Sequence, residues 1–341
     1  GYNTVANDNI FIGPNAGKSN TNGTVNLYLG KNAGLNATGG SDNIAMGQNA
    51  GRSITSSSTN VIIGKNSGYN ITEGSGTNVL IGNNAGFSLT TGYQNVCIGN
   101  DAGYGLLNLF VVSIGHKAGY AGGGHSSTFV GAYAGSGQTG SANTCFGAFA
   151  GNNGGDGNYN VPIGHYAMNF LGDGDNNSAL GTSALRGVGD GNGNIGIGFE
   201  AGRNFKDNVD NVFIGTGVAR SGTGITIITG GNYNSIIGAY GAYDLTTGSS
   251  NSMLGYKAGE NTTEGNRNVF IGYKAGDTLT TGTENVIIGY NSNVSAAAGT
   301  NQIVIGSETT GQADNTVVIG NNSITDVYMA EDASATVRCG K

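Results

Sequence analysis

Short apolar triplets alternate along this chain with longer stretches of small and polar residues. An asparagine, three mostly apolar residues and a glycine recur as NIFIG (9–13), NLYLG (26–30), NVIIG (60–64), NVLIG (78–82), NVCIG (95–99) and NVFIG (211–215 and 268–272). Nineteen closing glycines, from Gly13 to Gly320, follow one another at intervals of 16 to 18 residues, apart from one gap of 23 and a last gap of 14. Triplets rich in Val, Ile and Phe, bounded by Asn and Gly, predict one short strand per unit. After each glycine comes a corner of the type xxAG, as at 83–86, 256–259 and 273–276, and often a TTG segment, as at 90–92, 246–248 and 280–282. No segment carries apolar residues at a 3.6-residue spacing for long enough to predict a helix. A unit of about 17 residues with one strand cannot bury its own apolar face, whereas units stacked coil on coil can. The expected fold is all-β: a parallel β-solenoid of about 19 coils, mostly 17 residues each, over residues 1–322, followed by a C-terminal transition segment over 323–341.

Stacking turns each position of the unit into a column. The asparagine stands four residues before the closing glycine in 15 of the 19 units, which predicts a ladder of amides hydrogen-bonded along the axis. Alternation along the strand separates the first and third triplet residues from the middle one. The first and third, such as Val212 and Ile214 or Val286 and Ile288, are expected in the core. The middle column is also mostly apolar, so the strand is expected to be buried on both faces, the second by another copy of the chain. The residues assigned to that interface are Phe11, Ile62, Leu80, Phe129, Phe213, Ile236, Phe270 and Ile287.

Composition narrows function more than fold. The 66 glycines among 341 residues show no every-third spacing, which excludes collagen, and 37% hydrophobic content with 10% charge argues against disorder. A net charge of −7 with only 14 Lys and Arg argues against a nucleic-acid partner, and no apolar run of about 18 residues predicts a membrane-spanning helix. Cys97, Cys145 and Cys339 supply neither a disulfide framework nor a zinc site, and His116, His125 and His165 have no metal-ligand spacing. Cys97 and Cys145 fall three coils apart, about 14 Å along the axis, too far to bridge. Asp156, Asp173, Asp190 and Asp207 recur every 17 residues, three of them in Gly-Asp-Gly turns. Their column admits two readings: carboxylates that bind a cation such as calcium, with Asp175 and Asp210 nearby, or residues that simply suit tight turns.

The Asn-x-Val-x-Ile-Gly coils resemble the head repeats of YadA-like trimeric autotransporter adhesins, and equally the repetitive segments of phage tail fibres that precede an endosialidase-type intramolecular chaperone. The last coils, NQIVIG (301–306) and NTVVIG (315–320), are closest to the adhesin motif, and SITDVYMAEDASATVRCGK (323–341) resembles the transition after such repeats in tail fibres. Most coils here are longer than the adhesin unit. The resemblance implies a left-handed β-roll assembled as a homotrimer, with any chaperone lying beyond Lys341.

The function expected from these features is that of a structural and adhesive fibre segment, a viral tail fibre that attaches to a host-surface receptor, polysaccharide or protein, from the virion surface or another extracellular location. A bacterial trimeric adhesin head is the alternative. A polysaccharide-degrading β-solenoid enzyme fits less well, because the acidic residues are scattered and coils of near-constant length leave no obvious cleft for a carboxylate pair; the chain is expected not to be an enzyme. Ice binding would need threonine in register on many coils, and Thr-Thr pairs occur on only a few. The 23-residue gap, within 216–234, is read either as a receptor contact or as a plain loop excursion.

Overall fold

The computed structural model describes residues 8–74, 76–107, 109–220 and 230–327. Each Asn-triplet-Gly unit makes a strand of three residues and no more, because the glycine that closes it turns the chain at φ near +130°, as at Gly30 (131°), Gly64 (135°) and Gly115 (132°). Strand β1 (Ile10–Ile12) pairs in parallel with β2 (Leu27–Leu29), Phe11 opposite Tyr28, and the same relation carries on to β19 (Val317–Ile319). The nineteen strands form a single parallel sheet, one strand per coil, and there is no helix among the described residues. The chain is a parallel β-solenoid. The 23-residue gap does not disturb the register: Val212, Phe213 and Ile214 lie opposite Ser235, Ile236 and Ile237.

The core corrects the predicted orientation of the strands. It is the middle residue of each triplet that points inward: Tyr28, Ile62, Leu80, Phe129, Phe213, Ile236, Phe270 and Ile287 are all fully buried within the one chain. Phe11, in the first described coil, is partly buried and stacks on Tyr28 with ring centroids 5.1 Å apart. The eight residues assigned to an interface between copies are therefore core residues of the single chain. The reason is spatial. A 17-residue coil encloses a narrow interior, filled by the middle column, the corner alanines (Ala33, Ala85, Ala258) and an aliphatic column from the opposite wall (Ile54, Leu89, Leu245, Leu279). One inward side chain per strand fills that space, and the pleat sends the other two out. The packing compensates locally: where the middle residue is Gly196, Leu185 occupies a corner position that is glycine in most coils, and its side chain fills the gap, 2.7 Å from where a Cβ would stand.

The polar columns are laddered too. The side-chain oxygen of buried Asn26 accepts from both the backbone N–H (3.0 Å) and the amide (3.2 Å) of Asn43, and Asn43 does the same for Asn60. This pattern recurs to Asn285, whose oxygen accepts from the backbone N–H of Gln302. Where asparagine is missing, the backbone N–H of Val111 donates to Asn95, and that of Asn143 to the Ser127 hydroxyl. A second amide ladder, Asn15–Asn32–Asn49–Asn66–Asn84–Asp101, climbs the corners at positions with φ of 54–59°. Asparagine tolerates that left-handed conformation better than most residues.

Candidate interaction surfaces

With the middle residues inside, the first and third residues of the nineteen strands form the outer face of the sheet. Of these 38 positions only Thr128, Thr144, Ser178, Ser235 and Ser252 are not apolar, and none is charged. Ile10 and Ile12 are 55% and 56% exposed, and Ile44, Ile197, Leu254, Ile271 and Ile319 continue the exposed column. A shallow cavity of about 100 Å³ between Val161, Ile163, Leu180 and Ile197 indents this face. Monomeric proteins rarely expose an apolar surface that runs the whole length of the molecule.

A second surface is built from tyrosines. Tyr256, Tyr273 and Tyr290 each directly follow a closing glycine, and coil stacking piles their rings at 5.4 and 5.2 Å in near-parallel planes. The pile ends at Tyr240, which stands nearly perpendicular (83°) to Tyr256 at 6.1 Å, with Tyr243 5.9 Å beyond. Tyr240 can lie there because the preceding coil offers Gly217 at the matching corner, where a Cβ would come within 3.2 Å of the ring. Beside the rings lies a cavity of about 320 Å³ lined by Tyr240, Tyr243, Tyr256, Lys257 and Glu260. The Lys257 ammonium sits 2.8 Å from the Glu260 carboxylate, and this bond holds the lysine pKa above its ordinary value. Burial first, and the Glu260 charge second, raise the Asp244 carboxyl above its usual range. Arg220, at the root of the long gap, lies 2.7 Å from the nearly buried Glu200 carboxylate, which also pairs with Arg203, and donates to the Tyr243 hydroxyl at 3.4 Å. Residues 221–229 of the gap lie outside the described residues.

The aspartates do stand in one column, and each is already in use. The backbone N–H of Asp156 donates to the Asp173 carboxylate (2.9 Å), that of Asp173 to Asp190 (3.0 Å) and that of Asp190 to Asp207 (2.8 Å); the Thr139 hydroxyl donates to Asp156. A neighbouring column runs Ser141, Asn158, Asp175, Asn192 in the same manner. Among the described residues no group of three or more His, Cys, Asp or Glu side chains is placed to hold a metal ion. Cys97 and Cys145 are free, fully buried thiols, and burial pushes Cys97 up to about 12. Cys339 lies outside the described residues.

No protein-family model matches the chain, and comparison with curated proteins finds no match. Among the described residues no helix is long and apolar enough to cross a membrane.

The tyrosine cluster and the corner amide ladder escaped sequence reasoning, although both leave a trace. GYKAG occurs at 255–259 and 272–276 and GY again at 289–290, a 17-residue repeat of tyrosine in register with the strands.

Proposed function

We propose that the chain is a structural and adhesive fibre segment: a left-handed β-roll assembled as a homotrimer, of the kind found in viral tail fibres, carried on the virion surface and used in attachment to a host cell. The observation that carries this reading is the uncharged outer sheet face, nineteen strands long and two positions wide, with five hydroxyl residues and the rest apolar. Such a face exposed to water is costly, since burying one large apolar side chain is worth about 1.5–3 kcal/mol when it is fully covered. Identical faces on identical chains cover one another when the copies are related by rotation about an axis that runs parallel to the solenoid and in front of this face, and such rotation closes the assembly. The number three comes from the resemblance to trimeric fibres. The apolar face supports the cover, and the exposed tyrosine cleft supports a role in contact with a surface ligand.

Nineteen coils at about 4.8 Å each give a rod on the order of 90 Å long. Electron micrographs of the purified protein should show uniform rods of that length, with threefold symmetry in end-on class averages. Ribbons of variable width, or particles one coil across, would contradict the proposal.

A further inference from the structure

The apolar sheet face is taken up by the proposed assembly, and the buried thiols and aspartates by the stack itself. The cleft at Tyr240, Tyr243 and Tyr256 is taken up by neither. We propose that this cleft binds one sugar ring of a surface glycan, with Tyr256 and Tyr240 as its walls and Lys257, Glu260 and the tyrosine hydroxyls as its polar contacts. This deepens the attachment reading and rests on it.

Three features select a saccharide. The two tyrosines meet edge to face, 83° with centroids 6.1 Å apart, so the cavity beside them is a corner with an aromatic ring on two sides, against which a flat saccharide ring can rest. Aromatic faces favour the slightly positive C–H groups of such a ring, as they do the edges of other rings. The polar groups are a mixed set, one ammonium, one carboxylate and phenol hydroxyls, which suits a ligand whose hydroxyls both donate and accept. A cationic ligand fits less well, although three tyrosines around a carboxylate resemble an aromatic cage. The Lys257 ammonium already stands 5.8 Å from the Tyr256 ring centre and is paired to Glu260, so it occupies the place a ligand cation would need. The volume, about 320 Å³, lies at the low end of the range of small-molecule sites and suits a single residue of a glycan rather than an enclosed oligosaccharide. The rest of the glycan has a path along the outside, where Tyr273 and Tyr290 continue the ladder in steps of 5.4 and 5.2 Å, close to the length of one pyranose unit.

The site is reinforced from its side. Arg220 joins Tyr243 to the Glu200 carboxylate and so holds the cleft to the neighbouring coil at the root of the long gap. The long gap in the coil spacing, the glycine at 217 and a perpendicular tyrosine thus coincide at one place on the rod.

The test is binding of the full chain to an array of immobilised glycans carrying hexoses, N-acetylhexosamines and uronic acids. The comparison variants are Tyr256→Ala, Tyr240→Ala and, as a control, Tyr104→Ala in the separate ring stack of Phe87, Tyr104 and Tyr120. We expect at least one glycan to bind. Its half-saturation concentration should rise about tenfold or more in the Tyr256 and Tyr240 variants and stay unchanged in the Tyr104 variant. Circular dichroism on the same samples identifies any variant that has lost its fold, and Tyr256→Phe, which keeps the ring, should retain most of the binding. Absence of binding to every glycan by the folded wild type, or equal binding in the Tyr256→Ala and Tyr240→Ala variants, overturns the proposal. The mass of the wild-type sample is read separately: a three-chain mass without glycan binding removes the saccharide site and leaves the fibre, whereas a one-chain mass removes the fibre whatever the array shows.

Discussion

A single buried asparagine shows how much of the stack rests on repeated small contacts. Asn60 donates its amide to Asn43 (3.0 Å) and to the Ser57 hydroxyl (2.8 Å), and its oxygen accepts from the N–H (3.1 Å) and the amide (3.0 Å) of Asn78. Replacing it with alanine leaves a buried N–H and two neighbouring amides short of partners, each worth about 1–3 kcal/mol when unsatisfied. Asn60→Ala should destabilise the protein by about 2–4 kcal/mol in a denaturant titration. Asp244 acts in the opposite direction. Its raised native pKa means that the folded chain holds the proton to higher pH than the unfolded one, so its contribution to stability falls as pH rises through that window. Asp244→Asn should accordingly melt slightly higher than the wild type at pH 7, and the difference should shrink as pH falls and vanish by about pH 3, below the unfolded-state value of about 3.9, where the carboxyl is protonated in both states.

The coil itself depends on the strand and the glycine that ends it. A Cβ on Gly82 would stand 2.2 Å from the carbonyl oxygen of Gly99, with φ at +139°, so Gly82→Ala should cost at least about 3 kcal/mol or abolish folding. Gly39 has open space around it, and Gly39→Ala should leave the melting temperature within a few degrees of the wild type. The aspartate column gives a different contrast. Its carboxylates already accept from the coil before, Asp156 from the Thr139 hydroxyl and the other three from backbone N–H groups, so melting in excess calcium and in chelator should give the same curve. A rise with calcium would assign Asp156, Asp173, Asp190 and Asp207 to a cation instead.

At this scale the sequence was largely legible. The 17-residue interval located every strand, because each triplet is closed by a glycine and in 15 of the 19 units opened by an asparagine. What it did not reveal was which side of the strand faces in. Periodicity distinguishes two faces only when they differ in polarity, and here both are apolar. Size held the missing information. The middle column runs from Gly196 to Phe213 and Tyr28, a variation that only compensated interior packing tolerates, while the outer columns are nearly uniform Val, Ile and Leu with hydroxyl residues only at first positions. The tyrosine cleft was hidden for another reason: Tyr240, Tyr243 and Tyr256 meet through stacking of coils and the absence of a side chain at Gly217, which no local motif announces.

For the whole molecule, the orientation of the strands decides what an association experiment will show. Phe270 is interior and Ile271, the next residue, is 39% exposed on the outer face. Phe270→Asp should give misfolded or insoluble chain, because it buries an unpaired charge. Ile271→Asp, combined with Ile197→Asp, should leave the coils folded and separate the copies. The most direct measurement is the mass of the wild-type protein in solution, by sedimentation equilibrium or native mass spectrometry. A homotrimer has three times the chain mass of 34.1 kDa, and that is the expected result. A stable, soluble species of one chain, with the 38-position face left open to water, would contradict it.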